Sequence, residues 1–121
     1  MRRTFIQKLL QEIPIEGAHG GTGRRQMLLS KEDDVCTSLQ AVTKGYLDPG
    51  GVFDWHHHDG VDEFFIVLTG SGTITYDLGQ EHVKRTYEAG SIFNSPAGMP
   101  HRIEADGPTA SEFIFVRLAA T

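Results

Sequence analysis

His56, His58, Glu63 and His101 are the residues whose types and spacing could do chemistry: three imidazoles and one carboxylate. One residue separates His56 from His58. Side chains at i and i+2 share a face, about 6.5–7 Å apart, only in an extended chain; on a helix they diverge. The pair can therefore aim two ring nitrogens at one ion from a strand. Asp59-Gly60 then favours chain reversal. The next strand, Glu63 to Leu68, is expected to run back beside the first and bring Glu63 level with the histidines, while alternation turns Asp62 to the opposite face. His101 comes from a different turn, because Pro96, Gly98 and Pro100 interrupt any regular element three times in five residues. Imidazole with carboxylate suits one divalent transition metal: iron, manganese, nickel, zinc, cobalt or copper.

The elements that must position these groups read as short strands. Candidate segments are Gln26–Leu29, Ser38–Leu47, Val52–His57, Glu63–Leu68, Gly72–Tyr76, His82–Tyr87, Ser91–Asn94, His101–Glu104 and Glu112–Leu118. Turns at Asp48-Pro49-Gly50-Gly51, Gly70-Ser71-Gly72, Asp77-Leu78-Gly79 and Asp106-Gly107-Pro108 separate several of them. Many short strands at regular spacing predict a sandwich or barrel over residues 26–121. Residues 1–25 read as a short helix followed by a Gly-rich arm. Thr4 and Gln7 make a capping box, and Phe5, Ile6, Leu9, Leu10 and Ile13 recur at helical spacing until Pro14. Gly17 to Arg25 lacks the lead-in strand and spacing of a phosphate loop and reads as a linker or arm. Lys31–Asp34 reads as a solvated loop.

The metal-ligating residues belong to two longer patterns. The first is Gly50, His56, His58, Glu63 and Gly70; the second is Gly90, Pro96, Gly98 and His101. Together they resemble the paired motifs of the cupin superfamily. Nine of ten fixed motif positions are present, and the tenth, an Asn four residues after the second-motif His, is Ala105. At roughly 5% background per position, agreement at nine is not chance. The resemblance, to small single-domain cupins, implies an all-β double-stranded β-helix, or jelly-roll barrel. It also implies a divalent metal held by His56, His58, Glu63 and His101; the departing Asn is not among those ligands.

Length and composition set bounds on partners. A chain of 121 residues with 14 glycines and 39% apolar residues suits one turn-rich domain. Its net charge is −5, and Lys and Arg cluster only as pairs, which argues against a nucleic-acid surface. No apolar run approaches membrane-spanning length. Arg2-Arg3 is followed by Gln7, Lys8, Gln11, Glu12 and Pro14, which breaks the apolar region an export signal needs. A single cysteine, Cys36, cannot form an internal disulfide, so a cytoplasmic location is expected. Glu63–Leu68 and Phe113–Val116 are apolar on both faces, which calls for burial on both sides. Phe64, Ile66 and Leu68 are expected on the outer face, against a second subunit.

Three His and one Glu leave coordination positions open on a six-coordinate ion. Such an ion can polarise a carbonyl or enediol oxygen, acidify bound water, or bring dioxygen and substrate together. The expected function is a metal-dependent enzyme acting on a small oxygenated molecule, with dioxygenase, isomerase, decarboxylase or lyase chemistry allowed and an oxygenase preferred. The alternative is a barrel that captures a small ligand for sensing or storage. A general acid or base beside the open positions would discriminate the two. Tyr46, Tyr76, Tyr87, Asn94, Arg102 and Arg117 are the polar candidates for lining the cavity. His57, His82 and His19 lack ligand spacing.

Overall fold

Alternating apolar and polar residues fold this chain into ten antiparallel strands. The computed structural model describes residues 5–18 and 21–120. The strands are β1 (Glu16–Gly17), β2 (Arg24–Ser30), β3 (Leu39–Leu47), β4 (Val52–His56), β5 (Val61–Thr69), β6 (Gly72–Asp77), β7 (His82–Tyr87), β8 (Ile92–Ser95), β9 (His101–Ala105) and β10 (Ser111–Ala119). Six form one sheet in the order β1-β2-β3-β10-β5-β8, and four form a second in the order β4-β9-β6-β7. The two sheets face each other in the jelly-roll arrangement expected from the pattern. No helix among the described residues is long and apolar enough to cross a membrane.

Period-2 alternation selects what lies between the sheets. In β3, every second residue from Leu39 to Leu47 is buried, and in β5 the buried set is Glu63, Phe65 and Val67. Phe53, Phe65, Phe113, Phe115, Leu47, Val67, Ile74 and Ile103 form the core. Several of its rings meet edge to face, as where Phe53 lies 5.9 Å from Phe113 with planes at 61°, the arrangement favoured by the ring quadrupole. Close approach dictates a glycine at position 23, where a β-carbon would stand 2.1 Å from the Phe53 ring.

Two expectations need correction. The N-terminal segment does not form an α-helix: its one helical element among the described residues is a 3-10 turn over Leu10–Glu12, and Thr4 of the expected capping box lies outside those residues. Some ten residues cannot sustain an isolated helix. Here the Gln26 side-chain amide donates to the carbonyls of Leu10 (3.0 Å) and Ile13 (2.9 Å), and Lys8 Nζ donates to Leu28 O. These bonds hold the segment along β2 in place of helical ones.

The second correction concerns β4 and β5. They are not a hairpin: β4 pairs with β9, and β5 pairs with β10 and β8. The Asp59-Gly60 turn carries the chain from one sheet to the other, so Glu63 faces the histidines across the barrel. The Gly-rich stretch is also pinned, because Thr22 N donates to Val52 O and Val52 N donates to Thr22 Oγ1. Lys31–Asp33 forms a 3-10 turn with a reciprocal Ser30–Asp33 cap.

Candidate metal centre

His56 owes its position to a β-bulge. In the β4–β9 pair Phe53 opposes Ile103 and His56 opposes His101, so that Asp54 and Trp55 lie against the single residue Arg102. The extra residue reverses the alternation. Phe53 and His56 both turn inward, while Trp55 is left on the outer face, its ring 5.1 Å from that of His82. His58 follows in the connecting segment beyond the strand. His101 opens β9 and is almost fully buried, at 1% exposure.

The second turn is held where it must be by the first. Gly98 N donates to His58 O at 3.0 Å, and Ala97 N donates to Asp62 Oδ1 at 2.9 Å. Asp62 faces away from the barrel, as alternation requires, and anchors the turn that presents His101. Gly98 sits at φ +79°, a conformation that costs little only to glycine.

The fold gathers the ligand-type atoms of His56, His58 and His101 within 4.8 Å of one another, a cluster that could hold a metal ion. Ring centroids lie 4.3 Å apart for His56 and His101 and 5.2 Å apart for His56 and His58. Glu63 approaches from the other sheet, with Oε1 3.5 Å from His101 Nε2 and Oε2 3.7 Å from His58 Nε2. The His56 Nδ1 lies 2.7 Å from Asp54 O, and the His101 Nδ1 lies 3.1 Å from Met99 O. A carbonyl can only accept, so each Nδ1 carries the proton and each Nε2 presents a lone pair. This is the outer-shell arrangement that orients metal-binding imidazoles.

The electrostatics favour neutral rings and a charged carboxylate. Burial holds His56 below the ordinary histidine range, opposed by the Asp54 carbonyl bond. Burial likewise brings His58 down to about 4, against the pull of the Glu63 charge. For Glu63, burial alone would raise the value. The Arg117 guanidinium, bonded to Oε2, outweighs it and holds the carboxyl below the ordinary carboxylate range. Neutral imidazoles beside a carboxylate are the protonation states a divalent ion needs.

Around these groups runs a polar layer read directly from strand register. In one sheet Arg117, Glu63 and Ser95 are cross-strand neighbours; in the other, His56, His101 and Tyr76. Arg117 Nε donates to Glu63 Oε2 at 2.7 Å, with the two side chains 12% and 1% exposed. Glu63 Oε1, His101 Nε2 and Ser95 Oγ are buried and make no hydrogen bond among the described residues. Such groups are rare in folded proteins and call for a partner. An N₃O donor set with two such atoms pointing into it fits a divalent transition metal.

Of the six polar candidates for the cavity, Arg117 and Tyr76 belong to this layer. Burial pushes the Tyr76 phenol up to about 12, and it donates to Asn94 O at 3.0 Å. Tyr87 lies elsewhere in the core with Ser111, Arg102 bonds Asp54, Tyr46 bonds Gln26, and the Asn94 side chain is exposed. His57 and His82 stay outside the cluster, near Asp59 and Asp77, and His19 lies outside the described residues. Sequence reasoning did not single out Arg117 or consider Ser95. The available signal was Arg117 itself, a charge in register with the inward Phe113 and Phe115.

Comparison with known proteins agrees with this architecture. An uncharacterised Bacillus subtilis (strain 168) protein, YdbB, is 34% identical over 74 residues, covering 61% of this chain and 57% of YdbB, a little over half of that relative. The crystal structure of a predicted oxalate decarboxylase from Thermotoga maritima superposes with a TM-score of 0.78 at 26% identity, covering 94% of this chain and 99% of that one. KdgF from a Halomonas species shares the fold, with a TM-score of 0.73 at 18% identity over 98% of this chain and 96% of KdgF. The family model for the cupin domain matches residues 45–117, more than half of the sequence and all of the polar layer, so the chain belongs to the cupin-domain family.

Proposed function

We propose that this chain is a metal-dependent cupin enzyme acting on a small oxygenated molecule, with one divalent ion held by His56, His58, Glu63 and His101. One observation carries the reading. Glu63 Oε1 and His101 Nε2 are buried 3.5 Å apart without hydrogen bonds among the described residues. Leaving both unpaired costs about 1–3 kcal/mol each, more for the charged group; an ion shared with the other two imidazoles removes that cost. When bound, such an ion supplies Lewis acidity and open positions for substrate, water or dioxygen. Decarboxylation, the reaction named for the Thermotoga relative, and dioxygen chemistry both lie within that range.

A ligand-sensing barrel is the second reading, favoured by Tyr76. Its phenol, pushed up to about 12 and already donating to Asn94 O, is no general base at neutral pH. The outer faces of β5 and β8 leave Phe64, Ile66, Leu68 and Ile92 between 37% and 72% exposed, which supports a homodimer built on that sheet. Elemental analysis of untagged protein tests the metal assignment. About one divalent ion per chain is expected, lost in the His56→Ala/His101→Ala variant; retention of metal at wild-type affinity overturns it. Oxygen uptake by the iron, manganese and nickel forms then separates oxygenase from lyase chemistry.

A further inference from the structure

The bulge that turns His56 inward has a second product on the other side of the sheet. Asp54 and Trp55 both emerge on the outer face against Arg102, and Trp55 stays 42% exposed. Trp55 belongs to β4 and His82 to β7, the two edges of the four-stranded sheet. Ordinary strand spacing separates those edges by about 14 Å, yet the two rings lie only 5.1 Å apart. The side chains therefore reach toward each other over β9 and β6 and bridge the face.

Beside that bridge lies a recess of about 380 Å³, within the size range of small-molecule sites. Thr75 forms its floor, on the outer side of β6 by alternation yet only 8% exposed. Strand register sets Arg102 on one side of Thr75 and Lys84 on the other, and it sets Glu104 beside Thr73, the neighbouring outward position.

The charges here balance. Arg102 lies 3.3 Å from Asp54 and 3.5 Å from Glu104, and Lys84 supplies the second cation of the recess. A phosphate dianion would meet the Glu104 carboxylate as well as the two cations. An apolar ligand would take water from charged and hydroxyl groups without replacing its hydrogen bonds. The complement of this surface is an uncharged molecule rich in hydroxyls, which can accept from Lys84, donate to Glu104 and leave a C–H face for the indole. Trp55 suits that contact, being a broad apolar ring with one polar edge.

We propose that this outer face is a saccharide-binding site, in which an uncharged sugar ring packs on Trp55 and shares its hydroxyls between Lys84 and Glu104. The site is separate from the candidate metal centre. None of His56, His58, Glu63 or His101 lines it, and it holds its ligand with no metal.

The test titrates the full chain with maltose, cellobiose, lactose and chitobiose, and with glucose 6-phosphate and AMP as charged controls. Ligand-observed NMR measures binding, and the emission of Trp55, the single tryptophan, reports where it occurs. At least one neutral sugar should bind saturably and shift that emission, in chelator-treated protein as in untreated protein. Trp55→Ala should weaken that sugar about tenfold, the scale of one lost ring contact, and Trp55→Phe should restore most of the affinity. Lys84→Ala and Glu104→Ala should each weaken it about threefold or more. All three side chains are exposed, so thermal melts of these variants should match wild type. Binding of none of the four sugars overturns the proposal, as does tighter binding of glucose 6-phosphate or AMP than of every neutral sugar. Binding that leaves Trp55 emission unchanged, or that is lost with the metal, places the sugar elsewhere and also overturns it. So does a dimer that Trp55→Ala converts to monomers, because a second copy then covers the face.

Discussion

Acid should unfold the metal-free protein in two stages that report on the candidate centre. In the folded chain burial holds His58 at about 4, against an ordinary value of 6.5. Between those pH values the unfolded chain binds a proton at residue 58 that the folded chain refuses, so stability falls as pH falls. The difference between those two values corresponds to about 3 kcal/mol lost by pH 4. His56, also depressed by burial, steepens the same window. Glu63 acts lower. Its folded value lies below the ordinary 4.5, so its contribution is complete above 4.5 and is lost as pH falls below that value.

Against a typical stability of about 5–15 kcal/mol, these losses should bring the chelator-treated protein close to unfolding between about pH 4 and pH 2. Urea titrations at pH 7, 5.5, 4.5 and 3.5, read by the fluorescence of the single tryptophan, Trp55, measure it. His58→Gln should flatten the slope between pH 6.5 and 4 and leave the lower stage in place. A wild-type midpoint constant from pH 6.5 to 4.5, or a His58→Gln slope equal to wild type, would refute the reasoning.

Ile66→Lys places a charge on the exposed β5 face, opposite Ile92 and Ile114; light scattering should find a dimer converted to monomers or aggregates with metal affinity unchanged, and a monomeric wild type at micromolar concentration refutes that interface. Gly98→Ala meets no steric obstacle, since nothing lies within 4 Å of its added carbon, but must adopt φ +79°. It should cost about 1–2 kcal/mol and weaken zinc affinity through a loosened His101 turn, measurable by thermal melts and zinc titration, whereas unchanged values would show that the turn does not depend on that backbone conformation.

The sequence by itself marked the strands and the residues that cluster in the candidate centre. Alternation separated inward Phe65 and Val67 from outward Phe64, Ile66 and Leu68, and it chose Glu63 over Asp62. The spacing of His56, His58 and His101 between Gly/Pro turns marked them before any fold was known. These features are local, and a period of two can be read from neighbouring residues.

Tertiary structure decided how those residues meet. The sequence could not reveal that β4 and β5 belong to different sheets, because a turn of Asp-Gly type limits reversal without choosing the partner strand. It could not reveal the bulge that brings His56 inside beside Phe53, since an extra residue is defined only against the opposing strand. The N-terminal helical pattern lost to Gln26, whose amide takes the Leu10 and Ile13 carbonyls across the packed surface. Arg117 meets Glu63 across 54 residues of chain. That contact depends on the register of β10 against β5, which the packing of Phe113 and Phe115 with the core fixes and no local spacing encodes.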